Sequence, residues 1–177
     1  MISKRFFLVG VGQQADDQLR VGAAALSATW GGALLELSCE KKPQEMLSGL
    51  KEQKEGLIYL SGDPAMTQPG GCWLEALASW HMPTVLMVIP FDSGLIPGSA
   101  TAYVALCKLL SVPLLGVLQV GGLWNPNERR ADFLPWRGWI PINCRSTNRK
   151  EAVSSLDSKT YIQEASINLH TIMLNID

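Results

Sequence analysis

The chain has little of what marks a protein for nucleic acid, membrane or disulfide chemistry. Fifteen basic residues stand against sixteen acidic ones, a net charge of −1, so no field strong enough to gather a phosphate backbone or an anionic bilayer is expected. The four cysteines, Cys39, Cys72, Cys107 and Cys144, lie at least 33 residues apart. They form no C-x-x-C pair and have no neighbouring histidine to complete a metal set. They read as reduced core thiols, and no cofactor or metal is expected. There are only two histidines, and no long apolar run. Phe6 to Val9 is too short for a signal peptide, and Thr84 to Ile89, set between Pro83 and Pro90, has the length of a strand rather than a membrane span. The expectation is a soluble, cytoplasmic protein.

What is present is a globular composition in 177 residues, 47% apolar and 18% charged. That length suits a single domain, residues 1–177, with a core of its own. Six short β-rich runs recur: Phe6 to Gly10, Ala33 to Leu37, Gly56 to Leu60, Thr84 to Ile89, Leu114 to Gln119 and Gly138 to Ile140. Helical spacing fills Asp16 to Thr29, Lys42 to Lys54, Gly71 to Trp80, Ser99 to Leu110 and Leu156 to Leu174. Alternating strands and helices predict an α/β three-layer sandwich on a mostly parallel sheet of five or six strands. "TVLMVI" and "LLGVLQ" are apolar throughout, as strands covered on both faces must be. The stretch Gly121 to Arg137 breaks the rhythm and reads as a loop dense in glycine, proline, asparagine and tryptophan. Arg145 to Ser158 reads as a polar connection.

The element order and the phrases "KRFFLVGVGQQADDQLRVGAAAL", "GLIYLSGDP", "MPTVLMVIPFDSGLIPGSATAYVALCKLLSVPLLGVLQ" and "PWRGWIP" resemble dethiobiotin synthetase and its P-loop NTPase relatives over most of Met1 to Pro141. The resemblance implies a glycine-rich loop after the first strand that cradles ATP phosphates. Gly10 keeps the opening glycine. Gly12 stands where the family has a metal-binding aspartate, Asp16 at the second glycine, Asp17 at the phosphate-binding lysine and Gln18 at the Mg²⁺-coordinating hydroxyl residue. Ser61 stands where a metal-binding glutamate follows the third strand, with Asp63 two residues on. A carboxylate in the lysine's place repels phosphate by on the order of a kcal/mol or more. The resemblance therefore implies a degenerate Walker A loop and a pseudoenzyme. It also implies a homodimer formed in part through the helix from Ser99 to Leu110, while Gln119 and Pro141 fall where the family contacts adenine.

Other readings of single motifs stay open. Gly10-x-Gly12 is a tight strand-to-helix turn or the start of a dinucleotide fingerprint lacking its third glycine. Asp16, Asp17, Asp63 and Asp92 either cap and flank turns or gather around a cation. His81 and His170 read as a helix end and a helix rim, and "DSG" at Asp92 to Gly94 reads as a turn. If the strand-end crevice binds a nucleotide or small ligand, the candidates are Gly10, Gly12, Asp63, Asp92, Ser93, Gln119 and Arg145. If the irregular stretch binds a protein partner, the candidates are Trp124, Arg129, Arg130, Trp136 and Arg137, since tryptophan with arginine is the composition of binding hot spots. The preferred reading is a non-catalytic protein acting by protein contact or self-association. The alternative is an enzyme resembling an ATP-dependent ligase.

Overall fold

The computed structural model describes residues 4–12, 14–50, 55–142 and 155–175. The six predicted strands form as β1 (Lys4–Gly10), β2 (Leu34–Ser38), β3 (Glu55–Ser61), β4 (Thr84–Val88), β5 (Leu114–Val120) and β6 (Trp136–Ile140). They make one sheet in the order β2-β3-β1-β4-β5-β6, and every pairing is parallel. The sheet is thus wholly parallel, with six strands. Among the described residues, six helices connect or follow the strands: α1 (Asp16–Trp30), α2 (Pro43–Gly49), α3 (Trp73–Ser79), α4 (Gly98–Leu110), α5 (Pro126–Ala131) and α6 (Ser155–Met173).

Successive residues of a strand point to opposite faces, and both faces here are covered. Phe6 and Leu8 of β1 join Tyr59, Val85, Met87 and Val120 beneath Leu19, Ala23 and Leu26 of α1 and Ile162, Ala165 and Leu169 of α6. Phe7 and Val9 join Ile58, Leu60, Leu86 and Val117 under Leu47, Trp73, Leu74, Leu77, Val104 and Cys107 of α2, α3 and α4. The result is the predicted three-layer sandwich. Full burial of side chains of this size contributes about 1.5–3 kcal/mol each. Trp73 is deeply buried, and its indole N–H is satisfied by the Cys39 carbonyl at 3.2 Å and the Lys41 carbonyl at 3.1 Å.

α6 lies unusually close to β6. A Cβ on Gly138 would stand 2.7 Å from Cβ of Ala165 and 3.0 Å from its Cα, so this crossing requires glycine on the strand and a small residue on the helix. Among the described residues, three other than glycine adopt left-handed backbone: His81, Ser111 and Phe133. His81 and Ser111 follow the ends of α3 and α4. There Met82 N–H bonds the Leu77 carbonyl and Val112 N–H bonds the Cys107 carbonyl, closing each helix with a left-handed cap.

Two expectations are corrected. The stretch Gly121 to Arg137 is not one loop: it contains α5 and opens β6. Asn125 caps α5 by accepting from Asn127 N–H at 3.1 Å, and Pro126 occupies the first turn. The second helix ends at Gly49, where Leu50 leaves helical geometry, and residues 51–54 of its predicted span lie outside the described residues. Most of the polar connection from Arg145 lies outside the described residues, and α6 begins at Ser155, within that stretch. No helix among the described residues is long and apolar enough to cross a membrane.

Candidate functional site

β1 is flanked by β3 on one side and β4 on the other, so the segments that follow these three strands meet at the carboxyl edge of the sheet. Open parallel sheets place their ligands there. Here the edge holds a cleft of about 310 Å³ lined by Gly12, Gln14, Asp16, Leu19 and Gly62. Gly10 is buried at the base of the turn, where an added Cβ would meet Leu19 at 2.7 Å. Close packing of α1 on β1 explains this glycine.

The turn between β1 and α1 is held by the protein's own groups. Gln14 bonds the backbone of Ile89 twice, donating to its carbonyl at 3.2 Å and accepting from its N–H at 3.3 Å. The Tyr59 hydroxyl donates to the Asp16 carboxylate, which also accepts from Gly62 N–H at 3.4 Å. The Tyr103 hydroxyl, presented by α4, donates to Asp63, whose same oxygen accepts from Ala65 N–H at 2.9 Å. Tyr103 also lies against Gly12. Two phenols and one carboxamide thus pin the turn to β3, α4 and the end of β4.

Charge around the cleft is mostly negative. Arg20 is shared among Asp16 at 3.5 Å, Asp17 at 3.1 Å and Glu36 at 2.8 Å. The hydrogen bond and charge of Glu36, aided by Asp16 and Asp17, hold the guanidinium above its usual range. Asp63 adds a fourth carboxylate. Burial, then the hydrogen bond to Asp16, pushes the Tyr59 phenol far up, and burial with Asp63 does the same for Tyr103. Both phenols therefore remain proton donors. Burial, with the charges of Asp63 and Asp16, pushes the nearby Cys39 thiol up to about 12. None of these groups is primed as a nucleophile. Among the described residues, no three histidine, cysteine or acidic side chains are placed to hold a metal ion.

The structure separates the sequence candidates. Gly12 and Asp63 belong to the cleft region. Asp92 and Ser93 are exposed in a turn closed by Gly94 N–H on the Phe91 carbonyl at 2.8 Å. Gln119 is buried and turned inward, donating to the Gly121 and Leu123 carbonyls at 2.9 Å each. Arg145 lies outside the described residues. Arg129, expected at a partner-facing surface, is 6% exposed. It donates to Gln119 Oε1 and to the Gly94 carbonyl, both at 2.8 Å, pairs with Asp132 at 3.5 Å and lies over the Trp136 ring. Arg129 is an internal tie, because the sequence offers it a buried carboxamide, a carboxylate and an aromatic face together. Arg137 donates to the Leu115 carbonyl at 2.8 Å. Trp136 bonds Asp132 at 2.7 Å and meets Trp124 edge-on at 6.0 Å. Arg130 is exposed.

The two histidines are structural in position: His81 caps α3, and His170 packs at a tilt against Trp30, with the ring centroids 5.6 Å apart. Sequence reasoning missed Tyr59, Tyr103 and Gln14. The available signal was a hydroxyl inside an apolar strand, since a buried tyrosine needs a partner for its O–H. No family model matches the chain, and no curated protein matches it either.

Proposed function

We propose that the chain is a non-catalytic protein on a scaffold resembling dethiobiotin synthetase, and that it acts in the cytoplasm by self-association. One observation carries the first half: the position at the first helix's N-terminus suited to an anion is taken by the Asp16 carboxylate. Its partners are Tyr59, Gly62 N–H and Arg20. A phosphate entering the cleft would meet carboxylates and would have to displace internal bonds. The reduced, buried thiols Cys39, Cys72 and Cys107 suit a reducing compartment.

The association surface is the outer face of α4 with the loop before it. A surface helix ordinarily carries polar residues on its outer face, but α4 has Lys108 as its one charged residue. Thr101, Ala102, Ala105 and Leu109 are exposed there, Leu109 at 79%, and Leu95 and Phe91 extend the face at 67% and 58%. A two-fold contact sets a patch against its own copy, so a face with almost no charge meets little self-repulsion. Light scattering at micromolar concentration is expected to give a dimer, and Ala102→Arg to give a folded monomer. A monomeric wild type overturns the association. A melting temperature raised by Mg-ATP overturns the non-catalytic reading.

A further inference from the structure

We infer that Arg129 is a positioning residue: it fixes the apolar loop between β4 and α4 in one conformation from inside the protein. The ends of the loop are held by Gln14 on Ile89 and by Ile96 packed against the core, but its middle has few other anchors. Phe91, Asp92, Ser93 and Leu95 are exposed, and the turn is held locally by Gly94 N–H on the Phe91 carbonyl and Phe91 N–H on the Leu95 carbonyl, at 2.8 and 2.9 Å. Its tie to the rest of the fold at this point is the Gly94 carbonyl, which accepts from Arg129 Nη2 at 2.8 Å.

The other end of the guanidinium is rigidly held. Arg129 Nε donates to Gln119 Oε1 at 2.8 Å, and the Gln119 amide is itself committed to the Gly121 and Leu123 carbonyls. Asp132 and the Trp136 ring fix the remaining sides. One planar fork therefore joins β5, α5 and the loop after β4, whose Phe91 and Leu95 are exposed. Lysine could supply the charge and donors from one nitrogen, but not two donor nitrogens held at a fixed spacing in one plane. Ordering this loop in advance removes an entropy cost that association would otherwise carry. The link to association rests on the self-association reading above; the link to loop order does not.

The test is residue-resolved hydrogen exchange with dimer dissociation measured in parallel. In the wild type, the Phe91 and Gly94 amides are expected to exchange in step with the amides of α5, as one cooperative unit. Free exchange at Phe91 and Gly94 beside a protected α5 overturns the inference even if every variant fails to fold. In Arg129→Lys, exchange at these two amides is expected to rise by about ten- to hundredfold, because a hydrogen bond from a charged donor contributes on that scale. Asp132→Asn, which removes the ion pair but keeps the link to Gly94, is expected to leave them unchanged. A uniform rise across the sheet in Arg129→Lys would make the arginine an ordinary core support and overturn the positioning role. A dimer weakened by Arg129→Lys joins loop order to association. A wild type that is monomeric removes the association reading and leaves the exchange result to decide the loop.

Discussion

The hydroxyl of Tyr59 and the carboxylate of Asp16 are hydrogen-bonded across the gap between β3 and the first turn of α1. Tyr59 is fully buried, so its proton has no bulk water to turn to, and Asp16 is as much the phenol's partner as the helix's acidic first turn. The pairing makes the carboxylate part of the fold at the position where a phosphate-binding loop would need an empty anion site.

Asp16→Ala is therefore expected to destabilise the protein by about 1–3 kcal/mol, because the buried phenol then keeps only its 3.3 Å bond to the carbonyl of residue 16. Tyr59→Phe, which removes the donor and leaves Asp16 with Gly62 and Arg20, should cost less. Urea denaturation measures both. Equal losses would mean that the phenol in Asp16→Ala finds another acceptor.

The thiols give an alkaline signature. Burial pushes Cys107 up to about 11, and burial with nearby carboxylates pushes Cys39 up to about 12, from ordinary values of 9.0. Folding keeps both neutral, so their contribution to stability is full below pH 9.0 and is lost as pH rises through the folded values. Thermal unfolding followed from about pH 8 upward should show stability falling by about 1.4 kcal/mol per pH unit for each thiol that ionises only on unfolding. At about pH 8 the native protein should also protect Cys39, Cys72 and Cys107 from a disulfide reagent that modifies them readily in denaturant.

His81 and Ser111 hold left-handed backbone at the ends of α3 and α4, a conformation that costs residues with a Cβ about 1–2 kcal/mol. His81→Gly and Ser111→Gly should each stabilise by up to about 1 kcal/mol, the relief being partly offset by glycine's greater freedom when unfolded. A loss of stability at either position would show that its side chain makes compensating contacts.

Gly138→Ala should act in the opposite sense. The added carbon would stand 2.7 Å from Ala165, and overpacking of this kind costs about 1–3 kcal/mol. If Gly138→Ala is neutral by chemical denaturation, α6 can move away from β6 without penalty.

The strands were legible because each is short, apolar and set between turn residues, as "TVLMV" of β4 and "LLGVLQV" of β5 show. α1 was legible because Leu19, Ala23 and Leu26 repeat on one face. α5 was not: six residues, PNERRA, are too few to show a period, although Asn125 and Pro126 already spelled a helix start. The candidate site was legible only as a location. That Asp16 would meet Tyr59, and Tyr103 would meet Asp63, depends on strand order and on helix placement across the sheet. Neither sets a pattern along the chain. Arg129 misled for a related reason, because arginine beside tryptophan has the same composition whether it faces a partner or ties two acceptors and a carboxylate together within the fold.

The two helical layers also differ in the separation of the segments that build them. α2, α3 and α4 follow one another between successive strands, so their side of the sheet can assemble from neighbours along the chain. The opposite side needs α1 to meet α6, with everything from Trp30 to Ser155 lying between them. Closing so long a segment carries a larger entropic cost before any contact rewards it. The α2–α4 side is thus the natural place for folding to start, and the meeting of α1 with α6 is among the last contacts to form.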